Sequence, residues 1–202
     1  LVDLTKVDVV KRYEHQNGIQ QVDISADGKT LATCEDGGLV TLWSIEGAER
    51  RQTLDKTRTE NATKVKFLSG NLLAVFGGGE ELSLWDATKG ELVSLLKHDA
   101  EVLAATEAQQ SDALVTVDSS GSVYRWETEG GSLAWRSEDS QAWEPLWADC
   151  AVNRQETLIA TTTQDRYGVM WRMEDGHLQQ RLLDVGGCSI YFLNEGRRLL
   201  VS

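Results

Sequence analysis

Four tryptophans set the frame of this chain. Trp43, Trp85, Trp126 and Trp171 each close a short apolar-alternating run, LVTLW, ELSLW, SVYRW and GVMW, at intervals of 42, 41 and 45 residues. The first of these runs belongs to a longer unit, IQQVDISADGKTLATCEDGGLVTLWSIEGAERRQTL, which extends from Ile19 to Leu54. Inside it, VDIS, TLATC and LVTLW are separated by Asp27-Gly28 and Asp36-Gly37-Gly38, and a Glu46-Gly47 break leads to RRQTL. Alternation with period two predicts strands, and glycine supplies the positive-φ positions of tight hairpins. Each unit therefore reads as a four-stranded antiparallel meander. Its recurrence every forty residues or so predicts small sheets that bury their faces on one another.

Three segments carry a family resemblance: SADGKTLATCEDGGLVTLW in the first unit, LWDATKGELVSLLKH in the second and SSGSVYRW in the third. With the repeated spacing, they make the chain resemble the WD-repeat β-propeller family over essentially its whole length. The resemblance implies an all-β fold, a propeller of four-stranded antiparallel blades. Four complete blades are expected at about 16–57, 58–98, 99–140 and 141–184, with partial blades at 1–15 and 185–202. The repeats are degenerate. Aspartate follows the tryptophan only at Trp85-Asp86, and the Gly-His pair of the family stands here as Glu14-His15 and Lys97-His98. The buried set of His, Ser or Thr, Asp and Trp that braces family blades is therefore expected to be incomplete throughout. His15, Thr33 and Trp43 are its candidates in the first unit, with Asp36 one place too far from the tryptophan; Asp165, Thr163 and Trp171 are those in the fourth. At the family's usual seven blades a ring needs roughly 290 residues. Completion by a longer chain or by a second copy is the expectation.

Composition narrows the functional classes. The formal net charge of −12 opposes nonspecific attraction to nucleic acid or anionic lipid and favours a basic partner. No apolar run approaches the ~20 residues of a membrane-spanning helix. No signal peptide is visible in Leu1 to His15. That favours the cytoplasm, with export the alternative if a leader has been removed. Cys34, Cys150 and Cys188 fall in predicted strands without CxxC spacing, so they read as small buried hydrophobes. Three histidines in three different units give no metal constellation, and no cofactor is expected. Gly77-Gly78-Gly79 precedes a strand rather than a helix, which makes it a hairpin and not a phosphate loop. Neither G-x-S-x-G nor H-E-x-x-H occurs, and carboxylate pairs such as Glu80-Glu81 and Glu138-Asp139 read as solvated turns.

The resemblance then implies a non-catalytic protein-interaction scaffold. In the family, the loops joining one blade to the next and the hairpins between second and third strands share one face around the channel. Mapped here, that face holds His15, Asn17, Asp36, Lys56, Arg58, Glu80, His98, Ser119, Trp143, Asp165 and Arg166. Trp143, Arg58, His98, Asp165 and Arg166 are the partner-binding candidates, because Trp and Arg dominate binding hot spots. The structural reading of Trp143 is a cap beside Pro145. Trp43, Trp85, Trp126 and Trp171 are assigned to architecture, since they recur at one place in every unit. The alternative function is a quinoprotein-like or other enzyme or ligand-binding propeller of the cell envelope. It rests on Glu127 to Trp135, whose Gly and Trp offsets are similar to quinoprotein repeats.

Overall fold

In a computed structural model, residues 2–3, 8–9, 11–55, 58–137, 149–162, 167–183, 189–193 and 198–201 are described. The fold is all-β, a propeller of four-stranded antiparallel blades flanked by two-stranded partial ones. Blade one comprises β3 (Ile19–Ile24), β4 (Thr30–Glu35), β5 (Leu39–Ser44) and β6 (Glu49–Thr53). Blade two comprises β7 (Lys64–Phe67), β8 (Leu72–Phe76), β9 (Glu81–Asp86) and β10 (Glu91–Lys97). Blade three holds β11 (Val102–Ala108), β12 (Ala113–Asp118), β13 (Val123–Glu127) and β14 (Leu133–Arg136). Blade four holds β15 (Cys150–Val152), β16 (Leu158–Thr162), β17 (Tyr167–Arg172) and β18 (Leu178–Leu183). Before them β1 (Val2–Asp3) pairs with β2 (Asp8–Val9), and after them β19 (Ile190–Leu193) pairs with β20 (Arg198–Val201). Within the partial blade expected at 1–15, the described residues 11–15 carry no strand.

Successive blades pack face to face, so blades two and three are covered on both sides. Ala32, Val40 and Leu42 of blade one meet Val65, Leu73 and Trp85 of blade two. Leu82, Leu84 and Leu96 then meet Leu114, Tyr124 and Trp126. Val115, Val117 and Val123 finally meet Ile159, Val169 and Trp171. The second strands sit between two such layers, so β4 and β12 are buried at every position. Each fully buried Leu or Val contributes roughly 1.5 to 3 kcal/mol relative to exposure.

The outer strands are the edges where unwanted pairing threatens. All four carry a register shift against the third strand, at or beside the tryptophan: Leu42/Trp43, Leu92/Ser94, Arg125/Trp126 and Met170/Trp171. Bulges of this kind twist an edge away from neighbouring chains. The inner edges around the channel are closed differently, by side chains from the adjoining blade. Val65 N–H donates to Gln21 Oε1 at 3.1 Å and Phe67 N–H to Asp23 Oδ2 at 2.7 Å. Lys64 Nζ donates to the Leu103 carbonyl, and Ile190 N–H donates to Asp149 Oδ2 at 3.1 Å.

The tryptophans are 5%, 2%, 4% and 3% exposed in chain order, and each indole N–H finds a hydroxyl. Trp43 donates to Thr33 at 2.9 Å, Trp126 to Thr116 at 2.9 Å and Trp171 to Thr161 at 3.1 Å. The expected partner of Trp171 was Thr163, which lies outside the described residues; the register Ile159↔Trp171 and Thr161↔Val169 delivers Thr161 instead. In blade two the corresponding place holds Val75, and Trp85 donates to Ser83 at 2.8 Å.

Candidate partner-binding face

The loops that join successive blades and the second-to-third-strand hairpins meet at one end of the blades. Thr59–Ala62 crosses between two glycine turns with no spare room. A Cβ on Gly38 would lie 1.9 Å from the Thr59 carbonyl oxygen, and one on Gly78 would lie 2.2 Å from that of Asn61. Thr59, 2% exposed, ties the crossing down by donating from Oγ1 to the Gly38 carbonyl at 2.7 Å. Further along, His98 N–H donates to the Glu80 carbonyl at 2.8 Å, Val102 N–H to Gly79 at 3.0 Å and Ser119 N–H to Glu101 at 2.7 Å. These backbone bonds hold the loops to one another.

Charged side chains stand on this frame. Arg58, Glu60, Glu80, Glu81, Asp99 and Glu101 are exposed. Arg58, Glu60, Glu80 and Glu81 rim a cleft of about 230 Å³ whose wall includes Ala62, Val75 and Phe76. Glu81 faces Lys97 at 3.5 Å, and Asp99 pairs with Arg136. Asn17 and Asp36 are exposed at the same end of blade one, and Ser119 is half-buried in blade three. Lys56, Trp143, Asp165 and Arg166 lie outside the described residues.

His98 is corrected from a partner contact to a brace. It is 5% exposed and packs at 4.6 Å from the Tyr124 ring and 5.1 Å from that of Trp126. A carbonyl only accepts, so Nδ1 carries the proton donated to Leu96 O at 3.2 Å. Nε2 then accepts from the Thr116 hydroxyl at 2.7 Å, completing a chain from the Trp126 indole through Thr116 to His98. Asp118, fully buried beneath, accepts from Tyr124 Oη at 2.7 Å, from Ser120 and from Ser122 N–H. Blade three thus holds the buried set expected to be incomplete in every blade.

Blade one solves the same problem with different atoms. Glu35, not Asp36, supplies the acid. Its fully buried carboxylate accepts from His15 Nδ1 at 3.0 Å and from Asn17 N–H and Nδ2 at 3.1 and 3.3 Å. His15 packs edge-on to Trp43 at 5.0 Å, but among the described residues its buried Nε2 finds no hydrogen-bond partner. Glu35 sits two residues after Thr33 as Asp118 sits two after Thr116, so comparison of the repeats position by position is the signal that finds it.

These buried groups give the protein an acid limit. Burial above all holds His98 below its ordinary 6.5, so the neutral imidazole stabilises the fold fully above that value. Stability falls as pH drops from about 6.5 and the unfolded chain takes up the proton first. For Glu35, burial pushes the carboxyl up, but His15 and Asn17 outweigh it and hold it below the ordinary 4.5; that contribution is lost as pH falls under 4.5. Thermal melts across this range are expected to show a first decline beginning near pH 6.5 that His98→Asn removes, and a second below pH 4.5 that Glu35→Gln reduces, Asp27, Asp86 and Asp175 supplying the rest. A flat profile down to pH 4.5 contradicts the assignment of His98.

The two described thiols are packing groups. Burial, then the charges of Glu35 and Asp36, push the Cys34 thiol up to about 11, and burial pushes Cys150 up to about 12. Both stay protonated at neutral pH, which suits packing rather than nucleophilic attack. Cys188 lies outside the described residues. Among the described residues, no group of three or more His, Cys, Asp or Glu side chains is disposed to hold a metal ion. No helix among them is long and apolar enough to cross a membrane. The channel side holds a cavity of about 480 Å³ lined by Asp23, Lys64, Lys66 and Asp149.

The chain is similar to curated WD-repeat proteins. It is 20% identical over 153 residues to the NACHT and WD repeat domain-containing protein 2 of Mus musculus, covering 76% of this chain and 8% of that one. It is 23% identical over 166 residues to the target of rapamycin complex subunit wat1 of Schizosaccharomyces pombe, covering 80% of this chain and 52% of that one. It is 28% identical over 125 residues to the U3 small nucleolar RNA-associated protein 12 of Saccharomyces cerevisiae, covering 60% and 13%. The chain therefore spans about half the length of one of these relatives and a small part of the others. No family model matches it.

Proposed function

We propose that the chain is a non-catalytic scaffold of WD-repeat type that binds a protein partner through the loop face just described. The observation that carries this reading is the contrast on that face between a fixed backbone and exposed charged tips. Loops pinned by Thr59 and the Gly79 and Glu80 carbonyls keep their shape, while Arg58, Glu60, Glu80 and Glu81 remain exposed around a cleft. Preorganised loops lose little entropy on binding, so more of the contact energy appears as affinity. The surplus of carboxylates favours a basic segment of the partner, with Arg58 setting its register. Trp143, Asp165 and Arg166, outside the described residues, stay partner-binding candidates on the repeat pattern of the sequence alone. In the channel, Gln21, Asp23, Lys64 and Asp149 already bond the backbone of neighbouring blades, which supports a structural role there rather than catalysis. The likeness to a subunit of a multiprotein complex supports the same reading. Exposed Val22 and Ile24 on one flank and Tyr191 and Leu193 on the other suit closure of the ring by further blades.

Affinity capture from cells expressing the protein tests it. The triple variant Glu60→Lys, Glu80→Lys, Glu81→Lys is expected to lose at least about tenfold of partner affinity, equivalent to ~1.4 kcal/mol, and wild-type binding is expected to weaken with salt. Glu129→Lys, in an exposed turn at the other end of blade three, serves as control. Equal loss in both variants, or none in the triple variant, counts against the loop face.

A further inference from the structure

The series of inner-edge bridges is broken between blades three and four. Val22, Val65, Ala105 and Cys150 pair with Thr33, Val75, Thr116 and Thr161, so the residues just before them, Gln21, Lys64, Ala104 and Asp149, occupy one place in the four blades. Gln21, Lys64 and Asp149 each bond the backbone of the blade that follows. The methyl group of Ala104 cannot. Among the described residues no side chain of blade three hydrogen-bonds the inner edge of blade four, and Cys150 N–H turns to Asp149 Oδ1 of its own blade at 2.9 Å. The Cys150 thiol points back at the Val115 carbonyl from 4.0 Å. The channel cavity of about 480 Å³ lies against Ala104 and Ala105.

The apolar layer at this junction is thinner too. Leu42, Leu73 and Trp85 fill the junction of blades one and two, and Leu82, Leu84, Leu96 and Leu114 that of two and three. To the next one, blade three contributes as buried members only alanine and valine: Ala104, Ala108, Ala113, Val115, Val117 and Val123. Short side chains cover less apolar area, and the face they build holds its neighbour less tightly. The place before the tryptophan, Leu42 and Leu84 in the first two blades, is here Arg125, whose Nη1 donates to Glu127 Oε1 at 2.6 Å. A groove of about 680 Å³ opens beside it, with Leu158 and Arg172 of blade four on the other side. The ties that remain lie at the rim and the turns: Trp135 Nε1 donates to the Met173 carbonyl at 3.1 Å, and Gln110 bonds Glu156 and the Arg154 carbonyl.

We propose that the junction of blades three and four is a hinge built into the fold: blades one to three move as one body, and blade four pivots on the rim and turns so that the channel edge parts. Stacked repeats are held by nearest-neighbour faces, so the face with the smallest apolar groups and no inner bridge opens at the lowest free energy. Opening widens the channel cavity, which Lys64 and Lys66 line from the first body and Asp149 from the second.

Each junction carries its own reporter. Cys150, 5% exposed, lies in this one, and Cys34, 0% exposed, lies in that of blades one and two. A buried thiol must reach solvent before it reacts. The test is labelling of the folded whole chain with a bulky maleimide dye, resolved to single cysteines by peptide mass mapping. Cys150 is expected to react at least tenfold faster than Cys34, whereas global unfolding exposes both alike. The double variant Ala104→Gln, Arg125→Leu, which installs the residues of blade one, is expected to slow Cys150 at least tenfold and to leave Cys34 unchanged. Arg125→Leu alone is expected to slow Cys150 as well and carries this arm should the double variant fail to fold. Equal rates at the two cysteines, a faster Cys34, or a Cys150 rate that the variants leave unchanged each overturns the proposal.

Discussion

Replacing Gly38 by alanine is expected to destabilise the chain by about 3 to 5 kcal/mol and to unseat the loop face at the same time. Two costs add. Gly38 has φ +77°, a left-handed conformation that costs an L-residue about 1 to 2 kcal/mol. Its new methyl would also meet the backbone at Thr59 O, Asn61 N and Ala62 N, at 1.9, 2.7 and 2.9 Å, so relief requires moving the crossing segment itself. Gly28 separates the two terms. Its φ is +69° with nothing within 4 Å of a Cβ, so Gly28→Ala is expected to cost only about 1 to 2 kcal/mol. Urea unfolding of both variants measures the difference; equal losses would mean that the Thr59–Ala62 crossing is not clamped as described.

Trp126→Ala is expected to cost about 4 kcal/mol, in the range of large aromatic truncations in a packed core. The indole fills the junction of blades two and three with Leu84, Leu96 and Leu114, and it heads the bonded chain through Thr116 to His98. For a chain of this size the loss corresponds to a fall in Tm of roughly 10 °C. Stacked repeats hold together through nearest-neighbour contacts, so the loss is expected to concentrate at that junction. Hydrogen exchange should accelerate in β9 and β12 before β16. Uniform acceleration across all blades, or a Tm within 2–3 °C of wild type, contradicts the assignment of Trp126 as the centre of that junction.

What the sequence made legible follows from what the sheets repeat. Trp43, Trp85, Trp126 and Trp171 recur at fixed spacing because each occupies the same place between blades, and the Asp-Gly turns mark the hairpins around them. The bracing partners were harder to read, because ladder register selects them. Thr161 and Thr163 both precede Trp171 on alternate residues, and only the pairing of β16 with β17 shows that Thr161 meets the indole. Glu35 was hidden for a related reason. Its longer side chain reaches a place that aspartate takes in blade three, so the acid appeared one residue off when Asp36 was considered. His98 had the look of a surface loop residue beside Lys97 and Asp99; the Thr116 hydroxyl eighteen residues on draws it inside. Arg125 escaped notice because SVYRW alternates as a half-buried strand should. In a stacked blade both faces are covered, so a polar residue in that alternation is an anomaly rather than a solvent-facing position.

The loop face is the central claim, and hydrogen exchange of the captured complex tests it most directly. On adding the partner, amides of Thr59–Ala62 and Gly78–Glu81 are expected to exchange more slowly while the turns at Glu129–Gly131 and Glu174–Gly176 keep their free rates. Unchanged rates at both loop segments, with protection only at the opposite turns, would contradict it.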